Sequence, residues 1–275
     1  MKRRYYLPGA TRYAPFLSYY CPYLIELVEG NHTLIAGSTG AGKSTLEHAI
    51  IKSLLTVKFP GADDNGQNAR FVFIDPKIVE LKMYEDIPHT ILYAADIDDI
   101  EKALIYTRAV IDDRLRKMQR DGRRKSIEAP IYVFIDEIVD LMTCKRSKEI
   151  TRILADSISI ARAANIFYCI STQAPNRKIL KPEIVLNCNC RIALFCNSPI
   201  ESRQIIGDDT AVNLPLHGLG IVQKNIERYQ IKIPLFDDNE LLAVCRAWND
   251  QHKLHNKRQH RRRAQILQNI KTPGK

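Results

Sequence analysis

Long apolar runs are missing from this chain. Leu34–Ala36, Ile131–Ile135 and Ile166–Ile170 each meet a polar or charged residue after a few positions, whereas a helix that crosses a bilayer needs roughly 20 apolar residues. No membrane span is encoded. The amino terminus, MKRRYYLPGATRYAPFL, starts basic but lacks the apolar region and small-residue cleavage site of a signal peptide, so the expected location is the cytoplasm. Histidine is absent around Cys188, Cys190 and Cys196, which leaves their C-x-C-x5-C spacing without a fourth zinc ligand. The seven cysteines are odd in number and scattered, and they read as reduced thiols that pack as small hydrophobes. Internal repeats are lacking, as is any linker long enough to separate the chain into independent domains.

Acidic residues are missing from both ends. Of 41 Lys and Arg, eight lie in residues 251–275 and four in residues 1–20, leaving 29 against 31 Asp and Glu in between. The formal charge of +10 therefore belongs to the termini. Basic arms on a near-neutral body suit a polyanion, because clustered Lys and Arg neutralise phosphates; a solvated tail with no partner is the alternative.

What is present is alternation. Strands are expected at His32–Gly37, Arg70–Asp75, Thr90–Ala94, Ile131–Asp136, Asn165–Thr172, Arg191–Cys196, Gly220–Gln223 and Arg228–Leu235. Helices are expected at Lys43–Val57, Ile97–Arg120 and Ser147–Ala164; the second has Ile100, Ala103, Leu104, Thr107, Val110, Ile111, Leu115 and Met118 on one stripe. Strand and helix in succession predict an α/β fold, a mostly parallel sheet with helices on both faces. Loops fall at Phe59–Ala69, Arg120–Pro130 and Ala174–Glu183.

Gly37-Ser-Thr-Gly-Ala-Gly-Lys-Ser44 fits G-x-x-x-x-G-K-[ST] between a strand and a helix. Backbone N–H groups from Gly37, Ser38, Thr39, Gly40, Ala41, Gly42, Lys43, Ser44 and Thr45 are placed to cradle the phosphates of ATP, helped by the positive end of the helix. Lys43 reaches the β- and γ-phosphates, and the Ser44 hydroxyl ligates Mg2+. IYVFIDEIVDLM ends an apolar strand in Asp136 and Glu137, an acid for the magnesium shell followed by a base for water. Asp75, ending RFVFID, competes for the magnesium role, although Pro76 turns the chain away at once. Gln173, ending NIFYCISTQ, can hydrogen-bond both water and γ-phosphate; an ordinary strand terminus is the alternative.

These blocks resemble the FtsK/SpoIIIE DNA translocases from about His32 to Gln223. HTLIAGSTGAGKS resembles their phosphate loop, and RFVFIDPKIVELKMYEDIPH their IDPK-x-x-EL-x-x-Y-x-x-IPH signature. VFIDEIVDLM, ARAANIFYCISTQAP and SPIESRQIIG resemble their magnesium block, their RAxGIH…ATQRP block and their SxxDSRxIL segment. The resemblance implies a RecA-like P-loop motor, a homo-hexamer around double-stranded DNA with ATP between subunits. It also implies an arginine acting on the neighbour's nucleotide, with Arg162, Arg191 and Arg203 all matching family positions. Arg177, Lys178 and Lys181 fall in the loop that would touch the DNA backbone. It divides the chain into a basic arm at 1–20, a motor domain at 21–245 and a basic tail at 246–275, in which KLHNKRQHRRR reads as a helix on DNA, a folded-back arm or disorder.

The departures are specific. Ala174 stands where the family has arginine, RAxGIH becomes RAANIF, and DDTAVNLPLHGLG is closer to type VII secretion ATPases. Neither an amino-terminal membrane region nor a following winged helix is read, so the expectation is a minimal ATP-driven translocase with an element-encoded loading or anchoring partner. The alternatives are a secretion or conjugation ATPase moving protein or protein–DNA cargo, and a nucleotide-gated DNA-binding protein with little turnover.

Overall fold

A computed structural model describes residues 22–56, 69–173, 175, 180–234, 239, 241–243, 245, 246 and 263–270. Its centre is an eight-stranded sheet: β1 (Thr33–Ala36), β2 (Arg70–Ile74), β3 (Thr90–Ala94), β4 (Ile131–Ile135), β5 (Ile166–Thr172), β6 (Cys190–Ala193), β7 (Leu219–Lys224) and β8 (Glu227–Lys232). The order is β3-β2-β4-β5-β1-β6-β7-β8. The first six strands run parallel, and β7 and β8 close the far side as an antiparallel pair.

The period of two along each strand sorts the core into two layers. Val72, Ile74, Val133, Ile135, Ile166 and Ile170 face one layer, beneath α3 (Ile97–Arg120) and α5 (Ser147–Ile160). Phe71, Phe73, Tyr132, Phe134 and Phe167 face the other, beneath α1 (Pro22–Val28) and α2 (Lys43–Thr56). The aromatic rings interlock, with Phe71–Phe73 and Tyr132–Phe167 centroids both 5.4 Å apart. Each such side chain contributes about 1.5–3 kcal/mol on burial. A sheet covered on both faces favours apolar residues in its central strands, and β4 and β5 are buried throughout, with polar side chains in β5 only at its end, Ser171 and Thr172, apart from the Tyr168 hydroxyl.

The long helix α3 starts at Asp96, whose carboxylate accepts from Asp99 N at 2.9 Å, and ends with Lys117 and Arg120 in its last turn. Acid at the amino end and base at the carboxyl end both favour the helix dipole. Its buried face includes Glu101 and Arg114 beside Ile100, Ala103, Leu104, Thr107, Ile111 and Met118, whereas Val110 and Leu115 are half-buried. Arg146 explains Glu101, bonding it at 2.7 Å. Among the described residues, no helix is long and apolar enough to cross a membrane.

The helices α4 (Ile138–Thr143), α6 (Pro182–Asn187) and α7 (Pro199–Ile206) complete the fold. Of the basic tail, residues 263–269 are helical, and Ile266 and Leu267 pack on the core. Residues 251–262 and the arm at 1–20 lie outside the described residues.

Candidate nucleotide site

The parallel strands all deliver their following loops to one edge of the sheet, and the candidate residues collect there. β1 leads into the glycine loop, which is fastened to both neighbouring strands: Gly37 N donates to Thr172 O at 3.3 Å, and Ser38 N donates to Phe195 O at 2.8 Å. Glycine at 37 is required by this close approach, since a Cβ there would lie 2.7 Å from Leu194 Cβ. Gly42 turns the chain into α2 with φ +95°, a conformation that L side chains rarely adopt.

Lys43 opens α2 and folds back, its Nζ donating to Gly37 O at 3.0 Å. It is nearly buried. Burial lowers its pKa, while Glu137, Glu47, Asp136 and Glu80 act in the opposite direction. One cation thus faces four acidic side chains. Such a site repels a polyphosphate unless a divalent cation accompanies it, and the donors beside the loop, the Ser44 hydroxyl and the Asp136 carboxylate, are the hard oxygens that magnesium takes. The buried Ser38 hydroxyl has no partner among the described residues. An added oxyanion ligand would supply one.

The acids are held by the end of β5. The Ser171 hydroxyl donates to Asp136 Oδ1 at 3.0 Å and accepts from Glu137 N at 3.3 Å. Both Glu137 oxygens are occupied, one by the Thr172 hydroxyl and the other by Gln173 N, each at 2.9 Å. This aim requires Glu137 in the left-handed region, at φ 48° and ψ 72°, a conformation worth about 1–3 kcal/mol of strain in a non-glycine residue. Burial, followed by nearby acids, raises the Asp136 pKa, and the Ser171 bond opposes the shift. Gln173 reaches the glycine loop itself, its Oε1 accepting from the Thr39 hydroxyl at 2.8 Å.

Asp75 is occupied differently. Its Oδ2 accepts from Leu81 N at 3.0 Å and from the Tyr93 hydroxyl at 3.4 Å, which folds the turn after β2. That turn brings Glu80 to the site, where hydrogen bonds from His48 first, and also from Ser44, lower its pKa. Glu47 projects from α2 into the same space, fully buried, with Oε1 lacking a partner among the described residues. Burial first, then Asp136, pushes its pKa well above the usual carboxylate range. Motif spacing does not single out Glu47 and His48, whose one signal is a polar pair inside the otherwise apolar run LEHAII.

The arginines separate. Arg162 precedes β5 and Arg191 lies near the start of β6, its Nε bonded to Cys188 O at 3.1 Å; both occupy the sheet edge opposite the glycine loop. Arg203 lies on α7, which leaves the same edge as the loop, and pairs with Asp209 at 2.5 Å within the chain. Lys181 is exposed just before α6, while Arg177 and Lys178 lie outside the described residues.

Residues 21–126 match the model of the FtsK/SpoIIIE family. A DNA translocase FtsK of Caulobacter vibrioides is 31% identical over 275 residues, covering 84% of this chain and 32% of its own length. This chain thus spans about a third of that relative. The conjugation coupling protein TcpA of pCW3, solved as a monomer with ATPγS, superposes with a TM-score of 0.67 at 23% identity, over 78% of this chain and 65% of TcpA. EssC ATPases 2 and 3 from Geobacillus thermodenitrificans superpose at 0.65 and 18% identity, over 89% of this chain and 46% of that one. The fold is the RecA-like P-loop NTPase fold.

Proposed function

We infer, taking residues 21–126 as FtsK/SpoIIIE family sequence, that this chain hydrolyses ATP and uses the energy to move along double-stranded DNA. The observation that carries the reading is the joining of three strand ends. Asp136 and Glu137 after β4 and Gln173 after β5 are tied together through Ser171 and Thr172, and Gln173 bonds Thr39 in the loop that leads from β1 to Lys43.

The chemistry follows from these places. Backbone N–H groups of Gly37–Thr45 and the Lys43 ammonium hold the triphosphate. Ser44 and Asp136 would hold magnesium, which neutralises charge on the phosphates. Glu137 takes the proton of the attacking water, whose oxygen bonds to the γ-phosphorus as the bond to ADP breaks. Gln173 orients that water and links the phosphate to the loop that follows β5, where Arg177, Lys178 and Lys181 contact the duplex backbone. In a homo-hexamer, Arg203 exchanges Asp209 for the neighbour's nucleotide, tying turnover to a closed ring.

The test is ATPase activity with and without linear duplex across a salt series. Stimulation by duplex that falls steeply with salt is expected, because it rests on phosphate contacts, and Lys43→Ala abolishes turnover. Hydrolysis stimulated by peptide and indifferent to DNA would instead assign a protein cargo.

A further inference from the structure

The order of the strands sets the direction in which a nucleotide lies. Glu137 and Gln173 follow β4 and β5, on one side of β1, whereas β6, β7 and β8 lie on the other. With the γ-phosphate at Glu137 and Gln173 and the remaining phosphates in the glycine loop after β1, the nucleoside leaves on the β6–β7 side. Because β7 runs antiparallel to β6, the turn that enters it returns to the edge where the glycine loop sits. That turn, residues 214–218, belongs to DDTAVNLPLHGLG, a segment in which the chain departs from the family.

The turn and the loop meet. Gly40 takes φ +78°, and a Cβ built on it would find one heavy atom within 4 Å among the described residues beyond its chain neighbours, His217 Cε1 at 3.9 Å. The next residue, Gly218, takes φ +86° and accepts from Ile233 N at 2.9 Å. Ile233 in turn places Cδ1 3.6 Å from the position that a Cβ on Gly42 would occupy. The end of β8 thus fastens the turn at its base, and the imidazole stands at its tip beside the loop. His217 is exposed and makes no hydrogen bond among the described residues, so its ring is not what holds the turn.

We propose that the His217 ring is the surface on which the base of the nucleotide stacks: the turn before β7 holds the nucleoside while the glycine loop holds the phosphates. The proposal rests on the nucleotide reading above and supplies the nucleoside end, to which that reading assigns no residue. Every base has a π-face, so stacking accepts them all. His217 therefore separates nucleotides from bare polyphosphate, and does not separate adenine from guanine. A merely structural His217, propping the turn against Gly40, would act on every ligand of the loop alike.

The two roles separate by competition against a radiolabelled, slowly hydrolysed ATP analogue on full-length protein in excess MgCl2. The competitors are ADP, GDP and inorganic tripolyphosphate, which carries no base. His217→Ala should weaken ADP and GDP each about five- to tenfold, the loss of one stacked aromatic, and leave tripolyphosphate within about twofold of wild type. His217→Phe keeps a flat ring and should restore ADP to within about twofold. Substitution of an exposed side chain shifts stability little, which melting curves without ligand would verify; should His217→Ala fail to fold, His217→Ser, which also lacks the ring, carries the comparison. Unchanged ADP affinity in the folded variant, equal weakening of ADP and tripolyphosphate, or a phenylalanine variant as weak as alanine overturns the proposal. Wild-type protein that binds no nucleotide would sink the function reading instead.

Discussion

Thr39 and Gln173, 134 positions apart, meet side chain to side chain, the threonine hydroxyl donating to the glutamine oxygen at 2.8 Å. This bond spans the space between the glycine loop and the end of β5, where the γ-phosphate is expected. A nucleotide placed there competes for the same amide, so its position reports what the loop holds. Gln173→Ala should reduce turnover about ten- to a hundredfold, within the range of a single positioned group, with nucleotide affinity changed little. Loss of binding in parallel with turnover would reduce Gln173 to a structural strand end.

Glu137 differs from Gln173 in being the proposed base. Glu137→Gln retains the shape and an acceptor for Thr172, but it cannot take a proton. Turnover should fall about 10²–10⁴-fold, while filter binding of ATP stays near wild type. A variant with turnover within about threefold of wild type would move the base elsewhere in the site.

Glu47 gives a stability signature independent of turnover. The unfolded chain releases its proton near 4.5, whereas the folded chain keeps it because burial raises the pKa well above that value. The folded state therefore binds the extra proton, and stability is lost as pH rises from the unfolded pKa towards the folded one, by about 1.4 kcal/mol per unit. Glu47→Gln is neutral throughout. Its gain over wild type in urea midpoint should vanish near about pH 4 and grow towards about pH 8; parallel curves for the two proteins would place the proton elsewhere.

The sheet is legible because buried strands announce themselves as short apolar runs ended by a polar residue, and all eight expected strands form. The boundaries of α3 coincide with its apolar stripe. The helix expected at 147–164 stops at Ile160, because Asn165 takes φ 58° and Ile166 N closes the turn on Ala161 O. The helices α6 and α7 escape a periodicity reading because they are only six and eight residues long, although Ser198 followed by Pro199 and Glu201 carries a capping signal that the structure uses at 3.3 Å. In the site, Lys43, Asp136 and Glu137 are readable from spacing within one motif each. Glu80 and Glu47 are not, since their meeting depends on the β2–β3 connection folding over α2, a contact between distant segments that no local pattern encodes.

Arg114 is another buried charge that periodicity does not foretell. It sits at 5% exposure on α3 and donates to Ala164 O at 2.9 Å, Asn165 O at 3.2 Å and Ala129 O at 2.8 Å. One guanidinium thus fastens the loops that enter β4 and β5. Arg114→Ala takes this donor from all three carbonyls, of which Asn165 O keeps Ile131 N at 3.1 Å, at a cost of about 2–4 kcal/mol, which a urea melt would show as a lower midpoint with the slope unchanged. A loss under about 0.5 kcal/mol, the level of an ordinary surface substitution, would mean that water replaces the side chain.

Arg263 distinguishes the segment of the basic tail that belongs to the body from any that serves DNA. Its guanidinium is buried and donates to Thr90 O at 2.5 Å, Ile87 O at 3.3 Å and Glu85 O, at the start of the edge strand β3. Burial lowers its pKa to about 10, so it stays charged at neutral pH. Those carbonyls are neutral acceptors, and salt screens a charge–dipole contact far less than an exposed ion pair. Arg263→Ala should therefore raise amide exchange at residues 85–90 and 263–270 and lower the melting temperature at low and high salt alike. A cation already spent on main-chain carbonyls is not offered to phosphates, so the salt slope of duplex-stimulated hydrolysis should not change. Arg177→Ala and Lys178→Ala should each reduce that slope by about one. If Arg263→Ala flattens the slope as they do, its burial is exchanged for a phosphate when DNA binds, and the tail belongs to the track-holding surface after all.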